Sequence, residues 1–386
     1  MIASIPAARY GERIAALQAL AAESGLAAVL VGVGADMRYL AGYAAMPLER
    51  LTMLVVPATG PVTLVAPRLE AAPARACPAA SAGAVDVVTW EETEDPHGLV
   101  ARLVRRNVGP PADVLLSVAL SDDLQARHLL PLHERLGNVR LGLASSVLRQ
   151  LRMRKDADEV ELLRTAAHAA DRVVAAIAAG RLVGRTEADV AREVRERLVA
   201  EGHEAAVFAI VASGPNSASP HHEPGDRVIG AGDAVVLDIG GTIEGYASDI
   251  TRTLWVTGDA AVPPEPAFLE LYAILQRAQA DATRAVRPGV PAESIDAVAR
   301  ELISGAGFGP QFIHRTGHGI GLEGHEDPYL VSGNDEPLDV GMAFSVEPGI
   351  YLEGRFGARI EDIVVCGADG PIVLNAASRD LYIVPG

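Results

Sequence analysis

The sequence predicts two domains of different class: an α/β domain over residues 1–150 and an α+β domain over residues 151–386 built from a duplicated helix, helix, sheet unit. Three observations predict this. Up to about Arg149, helical periodicity alternates with short β-branched runs, as it does where strands interleave with helices. At RQLRMRKDADEVELLRTAAH the text changes to a long amphipathic helix. Beyond it, GRTEADVAREVRERLVAEGHEAAVFAIV and GVPAESIDAVARELISGAGFGPQFIHRT both read as glycine turn, capped helix, glycine stop and β-rich stretch.

In the first domain the pattern gives a helix over Arg13–Glu23 and strands in AAVLVGV, MLVVP, VTLVAP and VDVVTW. A helix in HGLVARLVRR and a strand in DVLLS follow. The glycines Gly32 and Gly34 lack the third glycine and the helix-opening context of a dinucleotide fingerprint, so this domain is read as supporting. The second domain opens at Asp156, a helix cap with Glu159 three residues on. Apolar residues then recur at Val160, Leu163, Ala167, Ala170, Val174 and Ile177 until Gly180 stops the helix. In the repeated unit, Val190, Val194 and Leu198 match Ile295, Ala299 and Ile303 in helical phase. The VPPEP segment and an Ala-rich helix from about Pro266 to Val286 separate the halves. The competing reading is chance similarity between two Ala-rich helices.

Composition excludes several classes of function. With 33 Lys+Arg against 50 Asp+Glu the net charge is −17, which repels a phosphate backbone, and no basic stripe offsets it; nucleic acid is not an expected partner. At 49% hydrophobic residues the chain can build large cores, so disorder is excluded. The segment MIASIPAARYGERIAAL places charges where a secretory signal needs apolar residues. The longest apolar stretch, Leu51 to Pro67, is broken by Pro57, Pro61 and Pro67, so neither export nor membrane spanning is expected. Cys77 and Cys366 are too few for a disulfide framework or thiolate metal site, which fits a cytoplasmic location.

Four carboxylates interrupt otherwise apolar β segments of the second domain: Asp238 in AVVLDIGG, Asp249 in GYASDITRTLWV, Glu347 in MAFSVEPGIY and Glu361 in ARIEDIVV. One such residue is ordinarily a strand-end carboxylate in water. Four together need something that offsets their desolvation. The segment HRTGHGIGLEGHEDP adds His314, His318 and His325 among glycines that allow close backbone approach. Four carboxylates and one imidazole form a hard, oxygen-rich set suited to Mn²⁺ or Co²⁺, and so much negative charge calls for more than one dication. Two ions roughly 3.5 Å apart would acidify a water and polarise a carbonyl, so the reaction class is metal-assisted hydrolysis.

Taken together, GPNSASPHH, VVLDIGG, YASDITRT, HRTGHGIGLEGHE, SVEPGIY and GARIED resemble the pita-bread-fold metallopeptidases, specifically the prolidases and Xaa-Pro aminopeptidases. Those chains join a creatinase-like N-terminal domain to the metal domain, and the resemblance spans essentially the whole sequence. It implies a creatinase-like domain at 1–150 and a pita-bread catalytic domain at 151–386. It also implies five ligands, Asp238, Asp249, His318, Glu347 and Glu361, with Asp249 and Glu361 bridging two divalent ions, Mn²⁺ first and Co²⁺ or Zn²⁺ as alternatives. His221 matches the family histidine near the substrate, His325 the one at the scissile carbonyl, and His314 another active-site histidine. Arg359 is expected to share a face with Glu361 and to hold that carboxylate or the substrate, a structural ion pair being the other reading. Tyr351 is expected to line the site, or else to pack.

The resemblance implies hydrolysis of Xaa-Pro bonds in small peptides by a homodimer. Glu347 moves the proton, His325 stabilises the oxyanion and His221 closes the proline side. A dipeptidase is favoured over an aminopeptidase acting on longer chains, although an arginine that some prolidases carry four residues after the histidine matching His325 is Tyr329 here. Arg359, Arg315 or a partner's arginine then has to meet the substrate carboxylate. A metal-free creatinase-like hydrolase, a non-catalytic pita-bread binding module and a methionine aminopeptidase are the alternatives. The complete ligand set speaks against the first two and the 150 preceding residues against the third.

Overall fold

The computed structural model describes residues 4–106 and 115–385, and the chain divides after Arg152 into two units. In the first, six strands, β1 (Ala28–Val31), β2 (Met53–Pro57), β3 (Thr63–Pro67), β4 (Asp86–Trp90), β5 (Leu116–Leu120) and β6 (Val139–Leu143), form one sheet ordered β4-β3-β2-β1-β5-β6. Strands β1 to β3 pair antiparallel and the outer pairings are parallel. Every residue of β1, β2 and β3 is buried, which explains their unbroken apolar text. Helices α1 (Ala7–Glu23), α2 (Ala35–Ala41), α3 (Ala71–Ala76), α4 (Pro78–Ser81), α5 (Pro96–Arg106), α6 (Ala126–Leu136) and α7 (Ser145–Arg152) complete the unit. The expected strand DVLLS begins at Asp113 and Val114, outside the described residues, and continues into β5. The edge strand β6 is absent from the sequence reading: its VRLGL alternates apolar and other residues over only five positions, and none of the five is buried.

The second unit opens on α8 (Ala157–Ala178). Asp156 accepts from Glu159 N while the Glu159 carboxylate accepts from Asp156 N, each at 3.0 Å, a closed capping box. Leu163, Ala167, Ala170, Val174 and Ile177 are buried on its inner face. Next come α9 (Glu187–Ala200), β7 (Ala205–Ser213), β8 (Ala234–Ile243), β9 (Tyr246–Ala247) and β10 (Ile250–Val256). The second half repeats the plan with α10 (Pro266–Ala285), α11 (Ala292–Gly305), β11 (Gly317–Gly319), β12 (Glu326–Leu330), β13 (Ala343–Val346), β14 (Gly349–Leu352), β15 (Phe356–Arg359), β16 (Asp362–Gly367) and β17 (Gly370–Val373). Strand β18 (Tyr382–Val384) returns to the first sheet, ordered β18-β10-β8-β7 with β9 beside β8. The second sheet runs β12-β11-β13-β16-β17, and β14 pairs with β15.

The duplicated unit is therefore present, and its phase is the one read from the sequence. Val190, Val194 and Leu198 pack with Leu237 and Leu254 in one core. Ile295, Ala299 and Ile303 pack with Phe268 and Phe344 in the other, where the Phe268 ring meets Trp255 at 4.9 Å and Phe356 at 5.1 Å between centroids. Each such fully buried side chain contributes roughly 1.5–3 kcal/mol, enough in sum to hold charged groups between the sheets. Both cysteines are free and buried. Among the described residues no helix is long and apolar enough to cross a membrane.

Candidate metal centre

Strand register brings the carboxylates together. Asp238 on β8 lies opposite Ile210 on β7 and Thr251 on β10, and Asp249 enters just before β10. From the second half come His318 in the middle of β11, Glu347 directly after β13 and Glu361 between β15 and β16. A Cβ at Gly317 would lie 1.9 Å from the Ser345 carbonyl oxygen, and one at Gly319 would lie 2.2 Å from that of Asp327. Only glycines on either side of His318 let its strand come this close to its neighbours, which is the close approach the glycine-rich motif predicts.

All five expected ligands line one cavity of about 510 Å³, together with His221, His314, His325 and Arg359. His318 Nε2 stands 3.3 Å from Glu347 Oε1 and 3.7 Å from Asp249 Oδ2. Donor atoms of Asp238, Asp249 and Glu361 converge within 4.8 Å, as do those of His318, Glu347 and Glu361, and those of Asp249, His318 and His325. Asp249, Glu361 and His318 each belong to two of these groups. An imidazole nitrogen has one lone pair, whereas a carboxylate has two oxygens, so Asp249 and Glu361 are the members able to serve two cations.

Among the described residues nothing neutralises this cluster fully. Asp238 Oδ2 takes a hydrogen bond from the Arg359 guanidinium, but Asp238 Oδ1 is buried without a partner among the described residues. Burial, then the charges of Asp238 and Glu347, push the Asp249 carboxyl well above its usual range. Burial, then Asp249, does the same to Glu361, and burial raises Glu347 to about 7. Burial, then the neighbouring His325, lowers His318 to about 3, so its imidazole is neutral and can donate a lone pair. An orphaned oxygen, three carboxyls that resist ionisation and one neutral imidazole are a donor set that fits divalent cations.

The histidines divide by depth. His325 is exposed at the cavity wall, its ring 3.7 Å from that of His318. His314 faces Tyr351 Oη at 2.9 Å through Nε2 and is lowered to about 4, by burial and then by Arg359. Two expectations need correction. Arg359 holds Asp238 rather than Glu361, and Glu361 Oε2 instead accepts from the Thr251 hydroxyl at 2.7 Å. The reason is the break between β15, which ends at Arg359, and β16, which begins at Asp362, so the two residues do not share the face of one strand; they meet through the Thr251 hydroxyl, which also accepts from Arg359 Nε at 3.0 Å. Tyr351, expected to line the cavity, stands behind its wall, where its hydroxyl bonds His314 and accepts from Arg359 at 2.8 Å. Thr251, Phe208 and Ile210 are absent from the sequence reading. Thr251 was within reach of it, being two residues after Asp249 in ASDITRT.

Residues 161–368 match the model for metallopeptidase family M24, and residues 13–154 match the creatinase/prolidase N-terminal domain. The chain is 47% identical over 377 residues to "Probable dipeptidase PepE" of Mycobacterium tuberculosis, covering 97% of each chain. It is 35% identical over 351 residues to an Xaa-Pro dipeptidase of Lactobacillus helveticus, covering 90% of this chain and 92% of that one. The crystal structure of dipeptidase PepE from Mycobacterium ulcerans superposes with a TM-score of 0.91 at 49% identity, covering 99% of this chain and all of that one.

Proposed function

The chain belongs to metallopeptidase family M24, and on that premise we propose that it is a dinuclear-metal exopeptidase that hydrolyses Xaa-Pro bonds, with dipeptides as its main substrates. The observation that carries this reading is the convergence of Asp238, Asp249, His318, Glu347 and Glu361 on one cavity around an unpartnered carboxylate oxygen. In it these five residues would hold two divalent ions, Mn²⁺ first and Co²⁺ or Zn²⁺ as alternatives, Asp249 and Glu361 being the carboxylates able to serve both. Such ions supply Lewis acidity toward the carbonyl oxygen and lower the pKa of water. Glu347 accepts the proton of the attacking water and returns it to the leaving proline nitrogen. His325, at the cavity wall, donates to the developing oxyanion, and His221 closes the proline side. Arg359 fixes Asp238, beside which the substrate amine docks.

Arg315 supports the dipeptide preference. Its guanidinium lines the cavity, lies 4.3 Å over the ring of Tyr329 and makes no ion pair among the described residues. Arg359 is already committed to Asp238, so Arg315 is the cation available for a substrate carboxylate. The same reading includes a homodimer acting in the cytoplasm.

The test strips the protein with a chelator, restores Mn²⁺, Co²⁺ or Zn²⁺, and compares kcat/KM for Ala-Pro, Ala-Pro amide and Ala-Pro-Ala. Activity should vanish on stripping, return with metal and fall at least tenfold for the amide and tripeptide. Full activity in protein shown to be metal-free sinks the metal assignment. Equal cleavage of the three peptides makes the enzyme an Xaa-Pro aminopeptidase.

A further inference from the structure

Two buried carboxylates outside the cluster, one in each half of the duplicated unit, grip a strand end in the same way. Glu187, the first residue of α9 and 0% exposed, accepts at Oε1 from both the backbone N–H and the hydroxyl of Ser213, each at 2.7 Å. Asp296 on α11 accepts at Oδ1 from the N–H of Thr316 at 3.0 Å and from its hydroxyl at 2.8 Å. Ser213 ends β7, Thr316 precedes β11, and a glycine follows each. In the second half the gripped residue lies two positions before His318.

Glu187 does more in the first half. His222 Nε2 donates to Glu187 Oε2 at 2.7 Å, Asn216 Nδ2 reaches the two oxygens at 3.0 and 3.2 Å, and Gly225 N approaches at 3.4 Å. Burial opposes ionisation of this carboxyl, yet the bonds from His222, Ser213 and Asn216 outweigh it and hold the group below its usual range. These contacts fall on both sides of His221, whose side chain lines the cavity. On the cavity side the Pro220 carbonyl accepts from both terminal nitrogens of Arg359 at 3.4 Å. The peptide that carries His221 is thus held between Glu187 behind it and Arg359 in front.

We propose that Glu187 and His222 are positioning residues that set the His221 imidazole in the cavity, an inference resting on the peptidase reading above. They touch no substrate. The segment from Ser213 to Gly225 is joined to helix α9 by the Glu187 carboxylate and by the Ala188 N–H, which donates to the Gly225 carbonyl at 3.0 Å, and displacing a reacting or binding group by about 1 Å can cost on the order of a hundredfold in rate. The corresponding grip of Asp296 on Thr316 shows the same device serving the other histidine-bearing segment.

The experiment uses metal-loaded full-length protein and hydrolysis of Ala-Pro. His222→Ala should lower kcat about tenfold or more with KM and metal content unchanged. His222→Gln, whose amide N–H can still donate to Glu187, should recover most of that loss. In a His221→Ala background, His222→Ala should have no further effect, because the residue it positions is gone. Glu187→Gln should exceed His222→Ala if it folds; if it does not, the His222 variants decide alone. A wild-type kcat in His222→Ala, or the same fractional loss in both backgrounds, overturns the proposal. Ring NMR signals of His221, identified by their absence in His221→Ala, provide a readout independent of turnover. They should shift or broaden in folded His222→Ala, and an unchanged signal also overturns the proposal. If wild-type protein cleaves no Xaa-Pro peptide, the peptidase reading has failed while this NMR arm still decides the positioning role.

Discussion

Two arginines of the second domain are buried to nearly the same extent beside a carboxylate, and their surroundings differ in one respect. Arg252 donates to the carbonyls of Ser378, Thr251, Glu361 and Ala377 and to Asp362 Oδ1, while Asp362 Oδ2 accepts from Gln279 and Arg379. Both Asp362 oxygens and all the guanidinium nitrogens are engaged. Arg359 likewise uses its fork on Thr251, Tyr351, Pro220 and Asp238, but among the described residues its carboxylate partner keeps one oxygen unbonded, and that partner lines a cavity with Asp249, Glu347 and Glu361. Burial of an ion pair therefore says little about role. A closed hydrogen-bond inventory marks a structural pair, and an open one marks a site that expects another ligand.

The largest expected effect tests the closed pair. Asp362→Ala leaves the Arg252 guanidinium buried without its charge partner, which should cost about 3–5 kcal/mol. For a domain of this size that lowers Tm by roughly 10 °C. Metal content and the kcat of the folded fraction should stay within about threefold of wild type. Scanning calorimetry with metal analysis checks this. A variant of normal Tm that has lost its metal would place Asp362 in the centre and break the comparison.

The open pair should respond in the opposite sense. Arg359→Met removes the guanidinium that donates to Asp238, but in the metal-loaded enzyme the cations offset that carboxylate, so Tm should fall less than in Asp362→Ala. Activity should fall more, about a hundredfold in kcat/KM, since Asp238, Tyr351 and the Pro220 carbonyl lose a common anchor. Steady-state kinetics beside metal stoichiometry measure this. If the loss of Tm equals that of Asp362→Ala and kcat/KM is unchanged, the two pairs are alike.

How much of this was legible in the sequence follows from range. The capping box at Asp156, the helix phases of Val190 and Ile295 and the apolar strands β1 to β4 depend on neighbours in the chain, and the structure has them where the pattern puts them. The site residues could be picked out because a carboxylate in an apolar strand is conspicuous, and because glycines flank His318. What was not legible depends on turns and pairing. Two residues of a continuous strand share a face, so Arg359 was expected beside Glu361. The chain leaves β15 at Arg359, and the guanidinium goes to Asp238, 121 residues away. The Glu187 to His222 bond, 35 residues apart, also had no local signature, since Glu187 reads as an ordinary first-turn acid behind the Thr186 cap.

The smallest expected effect separates the pairs by pH. In metal-free protein Glu347 is raised by burial from 4.5 to about 7, and Asp249 and Glu361 move in the same direction. A carboxyl whose folded pKa lies above its unfolded value contributes stability that is fully present below about pH 4.5 and is lost as pH rises through about 7. For Glu347 alone the loss between pH 5 and pH 7 is about 2 kcal/mol, and the other two add to it. Metal ions bind the deprotonated carboxylates, so their stabilisation grows over the same interval. The Tm difference between metal-loaded and stripped protein should therefore widen by roughly 5 °C or more from pH 5 to pH 7. Replacing Asp249 with Asn and Glu361 with Gln should flatten the pH slope of the stripped protein. Asp362→Asn, at the closed pair, should lower its Tm while leaving that slope in place. A Tm difference that stays constant with pH would mean the three carboxyls are not held protonated by the fold, and the open site would then be as settled without cations as the closed one.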